Sequence, residues 1–89
     1  MKPKISAQEK RQLFAEIEEL LERVSIPVRQ EKGDFQGGLC THDDKTTFII
    51  NKRLNIDHKL RIAKSELKNL DLDGLYLRPQ LRDFLEDKQ

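Results

Sequence analysis

The segment from Asn55 to Leu70 constrains the fold most, because it has the most regular helical pattern in the chain. Its apolar residues recur at steps of four and three, which places them on one stripe of a helix at about 100° per residue. Asn55 is a favourable N-cap, and Lys68 lies toward the negative end of the helix dipole. The segment therefore predicts a helix with one face in the core. The stripe consists of Ile56, Leu60, Ala63, Leu67 and Leu70.

An earlier helix is predicted to begin at Ser6, because Ser6 and Glu9 have the spacing of a capping box. Pro27 disfavours helical geometry at the preceding residue, so this helix should end by about Ser25. Its apolar stripe comprises Leu13, Phe14, Ile17, Leu20, Leu21 and Val24, and the acidic residues Glu16, Glu18, Glu19 and Glu22 are expected on a solvated face.

Three short strands are predicted between the two helices. The first follows Pro27, the second runs from Phe35 to His42, and the third, Thr46 to Ile50, is the strongest β-former. Gly37-Gly38 interrupts the second strand and is compatible with a bulge, a close backbone contact or a ligand-facing loop. Turns are expected at Gly33-Asp34 and Asp43-Asp44-Lys45. Neither connection has room for a crossover helix, so the sequence predicts an antiparallel meander.

The last part of the chain should contain a stop at Asp73-Gly74, a short extended Leu75-Tyr76-Leu77 and a final helix that begins at Pro79. The predicted fold is a single α+β domain over residues 1–89, in the order α-β-β-β-α-α. It consists of a three-stranded antiparallel β-meander with about three helices packed on one face. The predicted core comprises Phe14, Ile17, Leu21, Leu60, Leu67 and Phe84.

Composition limits the cellular setting. The chain has 89 residues, a net charge of +1 and one cysteine, Cys40, which excludes an intrachain disulfide. No apolar run approaches the roughly 18 residues of a membrane-spanning helix, and the first ten residues are too charged for a signal peptide. A reducing, cytoplasmic location is expected, with no membrane partner.

Positive charge is concentrated from Lys45 to Lys68, where seven Lys or Arg residues accompany only Asp57 and Glu66. Such a ridge could contact phosphates. From Lys52 to Lys68 no Phe, Tyr or Trp is interleaved and no base-reading motif is present, so a solvated face is favoured over a nucleic-acid site. The candidate residues for nucleic acid are Lys52, Arg53, Arg61, Lys64 and Lys68.

Residues 65–69, Ser-Glu-Leu-Lys-Asn, have the frame of a His-Glu-x-x-His helix, with Ser65 and Asn69 in place of the two histidines. Together with the preceding helix and meander, this segment resembles the core of ImmA/IrrE-type zincin-like metallopeptidases over about residues 28–70. The resemblance implies a general-base role for Glu66. Zinc would have no imidazole ligand at these positions. The alternative is an ordinary helix with a surface glutamate.

Cys40 and His42 lie two residues apart on a predicted strand and share a face, with two aspartates beside them. His58 or Glu66 could complete a metal site only if the second helix lies over the hairpin. The simpler interpretation makes Cys40 a small core residue, His42 a strand-end residue and the aspartates a turn. No cofactor is expected.

The favoured function is a non-enzymatic domain that acts by protein contact. In a meander the third strand lies at an edge, and Thr47, Phe48 and Ile49 carry no charge or proline that would block pairing. Either Leu75-Tyr76-Leu77 covers this edge as a fourth strand, or a second copy does so in a homodimer. The alternatives are a degenerate relative of the zincin-like peptidases and a weak nucleic-acid-binding domain.

Overall fold

The computed structural model describes residues 5–86 and contains three helices and three strands in the predicted order, so the α+β class is confirmed. The elements are α1 (Ala7–Arg23), β1 (Val28–Glu31), β2 (Gly37–His42), β3 (Lys45–Asn51), α2 (Ile56–Leu67) and α3 (Pro79–Leu85).

The capping box at the start of α1 is confirmed. Ser6 Oγ accepts a hydrogen bond from the Glu9 N–H at 3.1 Å, and the Ser6 N–H donates to Glu9 Oε1 at 3.4 Å. A cap of this kind stabilises a helix by about 1 kcal/mol. One acidic residue of the helix departs from the prediction, because Glu16 is buried rather than solvated. The buried apolar face is Leu13, Phe14, Ile17, Leu20 and Leu21.

The predicted meander is wrong, because the strands lie in the order β1-β3-β2 and the sheet is mixed. β1 pairs with β3 in parallel, with Val28 opposite Phe48, while β2 pairs with β3 in antiparallel orientation. β3 is therefore the central strand and is hydrogen-bonded on both sides. This arrangement buries Phe48 and Ile50, the apolar residues of the strongest β-former, almost completely.

The topology follows from the loop of residues 32–36. This loop carries the chain across the end of β3 instead of returning it beside β1, and the β2–β3 hairpin then brings β3 back between the outer strands. A parallel pair needs a crossover of about a dozen residues. Here β2 and its two loops provide that crossover, whereas the prediction of a meander allowed only for a helix.

The hairpin turn between β2 and β3 is confirmed at Asp43-Asp44. Both residues have positive φ, 52° and 64°, as a two-residue turn between right-twisted strands requires. Aspartate tolerates this region better than most non-glycine residues. The Thr41 and Thr46 hydroxyl oxygens lie 3.1 Å apart across the hairpin.

Asn51, the last residue of β3, holds the crossing loop in place. Its Nδ2 donates hydrogen bonds to the carbonyl oxygens of Gly33 and Phe35, both at 2.7 Å, and its Oδ1 accepts the Arg53 N–H at 3.0 Å. Its own N–H donates to the Gln36 carbonyl at 3.0 Å. The two amide N–H bonds thus fix the loop before β2, and the amide oxygen fixes the turn after β3.

The core lies between the sheet and the helices α1 and α2. Of the predicted core residues, Phe14, Ile17, Leu21, Leu60 and Leu67 are buried, as expected. Phe84 is only half-buried, and Leu81 is the buried residue of α3 instead. α3 contacts both α1 and α2.

α2 begins as predicted, because Asn55 Oδ1 accepts the His58 N–H at 2.8 Å, but it ends at Leu67 rather than Leu70. Gly74 has the left-handed backbone that the sequence predicted, with a φ of 84°, but it lies in a turn seven residues after the end of α2 and does not stop the helix. Residues 75–77 form no strand, so the alternative of a fourth strand is wrong. The Tyr76 carbonyl instead accepts a hydrogen bond from Arg23 at 3.2 Å, which ties this segment to α1.

Candidate functional site

The outer edge of β2 carries unpaired backbone groups. The N–H groups of Phe48 and Lys52 donate to carbonyls of Pro27 and Glu31, so even-numbered β3 residues direct their N–H groups toward β1. Odd-numbered β3 residues therefore bond to β2, and their register partners are Gly38, Cys40 and His42. The remaining β2 residues, Gly37, Leu39 and Thr41, direct their N–H and C=O groups outward. Within residues 5–86 no strand lies beside them.

The opposite edge of the sheet is better protected. β1 has only four residues, follows Pro27, and carries an ion pair between Arg29 and Glu31. Gln30 accepts a hydrogen bond from Lys59 of α2 at 3.2 Å. Short length, charge and proline are the usual protections of an edge strand, and β2 has none of the three along Gly37–Thr41.

An apolar depression of about 430 Å³ lies on the open face of the sheet beside the first half of β2. Gly37 and Gly38 contribute no side chains to its floor, and Phe35 at its rim is 38% exposed. We name it the open-face depression. Its lining residues include Glu31, Phe35, Gly37, Gly38, Cys40 and Ile49.

A polar cleft of about 560 Å³ lies on the other side of the same edge, between α2 and the start of β2. His58 Nε2 lies 3.3 Å from Gln36 Oε1 at one end of it. We name it the helix-side cleft, and Gln36 and Gly37 line both it and the open-face depression. The α2 residues that line the cleft are His58, Arg61, Ile62, Ser65 and Glu66.

Close contacts and positive φ values favour glycine at both positions at the start of β2. A Cβ on Gly37, whose φ is 144°, would lie 2.5 Å from the Ile49 carbonyl oxygen. A Cβ on Gly38, whose φ is 151°, would lie 2.8 Å from Glu66 Oε1. The register with β3 is continuous through both residues. Of the three interpretations that the sequence left open, a close backbone contact therefore applies here, and a bulge does not.

Glu66, the residue that the peptidase resemblance singles out, is half-buried in the helix-side cleft. Ser65 lines the same cleft, whereas Asn69 is exposed beyond the end of α2. Within residues 5–86, no group of three or more His, Cys, Asp or Glu residues is placed to hold a metal ion. In this structure Glu66 is a carboxylate beside the outer edge of β2.

The other metal candidates lie apart. Cys40 is exposed and lines the open-face depression, so the expectation that it is a core residue is wrong. His42 is exposed at the hairpin and pairs with Asp43 at 3.2 Å. His58 belongs to the helix-side cleft, so the three residues do not converge.

The five nucleic-acid candidates are spread along α2. Lys52 and Arg53 lie exposed in the turn before the helix, and Lys68 follows the last residue of the helix, which is itself about 18 Å long at 1.5 Å per residue. Lys64 Nζ lies 5.2 Å from the centre of the Phe84 ring, within the range of a cation–π contact. Arg61 faces the helix-side cleft.

The residues predicted to pair with another chain do not lie at an edge. Thr47, Phe48 and Ile49 belong to the central strand, whose backbone is bonded on both sides. Sequence reasoning also missed Asn51, Phe35 and Gln36, which shape the start of the β2 edge. An asparagine directly after a strong β-former was the available signal, since its short amide side chain commonly bonds nearby backbone.

No protein-family model, curated protein or solved structure matches this chain. None of the helices within residues 5–86 combines the length and the hydropathy needed to cross a bilayer. The resemblance to zincin-like peptidases stays a prediction.

Proposed function

We propose that this domain is a non-enzymatic protein-interaction module that binds an extended segment of another chain along the outer edge of β2. The observation that carries the proposal is the outward orientation of the backbone groups of Gly37, Leu39 and Thr41. Three such residues offer up to six hydrogen bonds to an added strand, and this mode of recognition draws its affinity from the main chain.

The position of α2 favours, as the binding partner, a linear segment that carries no helix packed against it. α2 lies against β2, and Glu66 reaches the backbone of Gly38. Neighbouring strands are about 4.8 Å apart, whereas packed helices need 8–10 Å between axes. A second copy that added its own β2 would bring the two α2 helices too close. A linear segment avoids this conflict, so self-association through two β2 edges is disfavoured.

Selection from a displayed library of random heptapeptides tests the proposal. Thr41→Pro removes one outward N–H and leaves the bonds to β3 intact, whereas Thr41→Val keeps the N–H and serves as the matched control. We expect proline-free peptides to be enriched on the wild type and on Thr41→Val but not on Thr41→Pro. Failure to enrich any peptide, or equal enrichment on Thr41→Pro, would contradict the proposal.

A further inference from the structure

The open-face depression and the helix-side cleft flank the same stretch of β2. They therefore determine which side chains an added strand can carry. Successive side chains of a strand point to opposite faces of the sheet. Alternate residues of a bound segment would therefore enter the open-face depression and the helix-side cleft. We infer that this edge selects an extended peptide with a basic, an apolar and an acidic residue at three consecutive positions, in that order from the N-terminus. The inference rests on the proposed function.

The apolar residue corresponds to the open-face depression. Its floor at Gly37 and Gly38 has no side chains, and Ile49 and the exposed Phe35 provide apolar surface. A large side chain on a neighbouring strand can cover glycine positions in this way. Its burial removes apolar surface of both partners from water, which favours binding. Phenylalanine or leucine suits this position.

The charged residues correspond to Glu66 and Arg61. Within the described part of the chain the half-buried Glu66 carboxylate forms no ion pair, and Arg61 is exposed in the same cleft. The two residues are five positions apart on α2, a rise of about 7.5 Å, and although they are rotated by about 140° around the helix axis both line the helix-side cleft. Residues two apart on a strand are separated by about 6.8 Å. One strand can therefore place a basic residue at Glu66 and an acidic residue at Arg61.

The order of the charges follows from the direction of α2. His58 contacts Gln36 just before β2, and Glu66 lies at Gly38, so α2 and β2 run in the same direction. Antiparallel pairing is the more stable arrangement. A peptide antiparallel to β2 passes Glu66 before Arg61. Its basic residue must therefore precede its acidic residue.

Two fluorescein-labelled heptapeptides of identical composition test the inference. The first is Ser-Thr-Lys-Phe-Asp-Thr-Ser, and the second exchanges the lysine and the aspartate. Fluorescence anisotropy should show that the first binds the wild type roughly three- to tenfold more tightly, the effect of two exposed ion pairs. The doubly substituted variant Arg61→Glu, Glu66→Arg should invert this preference. A charge swap away from the edge, Glu19→Arg with Arg53→Glu, should leave it unchanged.

The outcomes separate the inference from the proposed function. Inversion in the double variant supports the charge order. Equal binding of both peptides to the wild type, abolished by Thr41→Pro, overturns the charge order but leaves strand addition standing. If neither peptide binds at millimolar concentration, the inferred sequence preference is also wrong, and the library selection then decides on the function separately. Circular dichroism confirms that each variant is folded before binding is measured.

Discussion

Glu66 occupies the space that a side chain at Gly38 would need, since a Cβ on Gly38 would lie 2.8 Å from Glu66 Oε1. The helix α2 therefore places a carboxylate directly beside the backbone of an unprotected strand edge. Glycine at this position permits the contact, because it has no Cβ to fill the space that Glu66 occupies. The contact between Glu66 and Gly38 thus depends on the packing of α2 and places a negative charge at the edge of β2.

Alanine substitutions at three glycines should lower the unfolding free energy by different amounts, according to what surrounds each glycine. Gly37→Ala should lower the unfolding free energy most, by about 3 kcal/mol or more, because its Cβ meets the backbone oxygen of Ile49 at 2.5 Å. Gly38→Ala should cost about 1–3 kcal/mol, since the Glu66 side chain can move and backbone strain remains. Gly74 has a φ of 84° and no atom within 4 Å of an added Cβ. Gly74→Ala should therefore cost only the backbone strain of a positive φ, about 1 kcal/mol.

Urea denaturation measures these values. Glu66→Ala in the Gly38→Ala background should recover part of the loss, because it removes the steric conflict. Equal destabilisation by Gly37→Ala and Gly74→Ala would contradict the close contact between Gly37 and the Ile49 carbonyl oxygen.

Removal of the Asn51 side chain should destabilise the crossing loop. Asn51→Ala loses two donors and one acceptor, so we expect a loss of about 2–3 kcal/mol. Asn51→Asp should cost more, because it places a carboxylate against the carbonyls of Gly33 and Phe35. Asn69→Ala, at an exposed position after α2, is the matched control and should change stability by less than about 0.5 kcal/mol. A similar loss in both alanine variants would contradict the role of Asn51.

Proline substitutions should distinguish the two sides of β2. Cys40→Pro removes an N–H that bonds to β3 and should cost about 3 kcal/mol or more. Thr41→Pro removes an outward N–H and should cost about 1 kcal/mol, through the lost contact with Thr46 and a lower β-propensity. Melting temperatures of the two variants provide the comparison. The opposite ranking would mean that the assignment of inward and outward residues is reversed.

The buried Glu16 offers a test of the contact between α1 and the segment before α3. Its Oε1 has no hydrogen-bond partner among residues 5–86, and Arg78 Nε lies 4.0 Å away. Glu16→Met should leave stability unchanged or raise it by about 1 kcal/mol, since an apolar side chain needs no compensation for burial. Arg78→Ala should lower stability by up to about 1 kcal/mol. Denaturation of Glu19→Met, an exposed change on the same helix, gives the baseline, and a large loss in Glu16→Met would contradict this account.

Local patterns predicted the elements of this fold and failed at their arrangement. The capping box at Ser6, the N-cap at Asn55 and the turn at Asp43-Asp44 depend on neighbouring residues, and all three are confirmed. Strand order depends on where the loop of residues 32–36 crosses, which Asn51 determines through contacts 16 and 18 residues away in sequence. No periodicity reports such a contact.

The sequence predicted only part of the candidate site, again because the site depends on contacts between residues that are distant in sequence. Gly37-Gly38 and Glu66 were each singled out, but for unrelated reasons, and only the packing of α2 against β2 brings them together. The predicted edge at Thr47–Ile49 was wrong because a two-residue hairpin turn and a crossing loop place β3 in the centre. The unprotected edge of the sheet is β2 instead.

Amide hydrogen exchange, followed by NMR with and without a library-selected peptide, tests the central claim most directly. In the free domain we expect fast exchange at Gly37, Leu39 and Thr41 and slow exchange at Gly38, Cys40 and His42, because only the second set bonds to β3. Saturating peptide should slow the first set and leave the second unchanged. Uniform protection along β2 in the free domain, or bound peptide without added protection at Gly37, Leu39 and Thr41, would contradict strand addition at this edge.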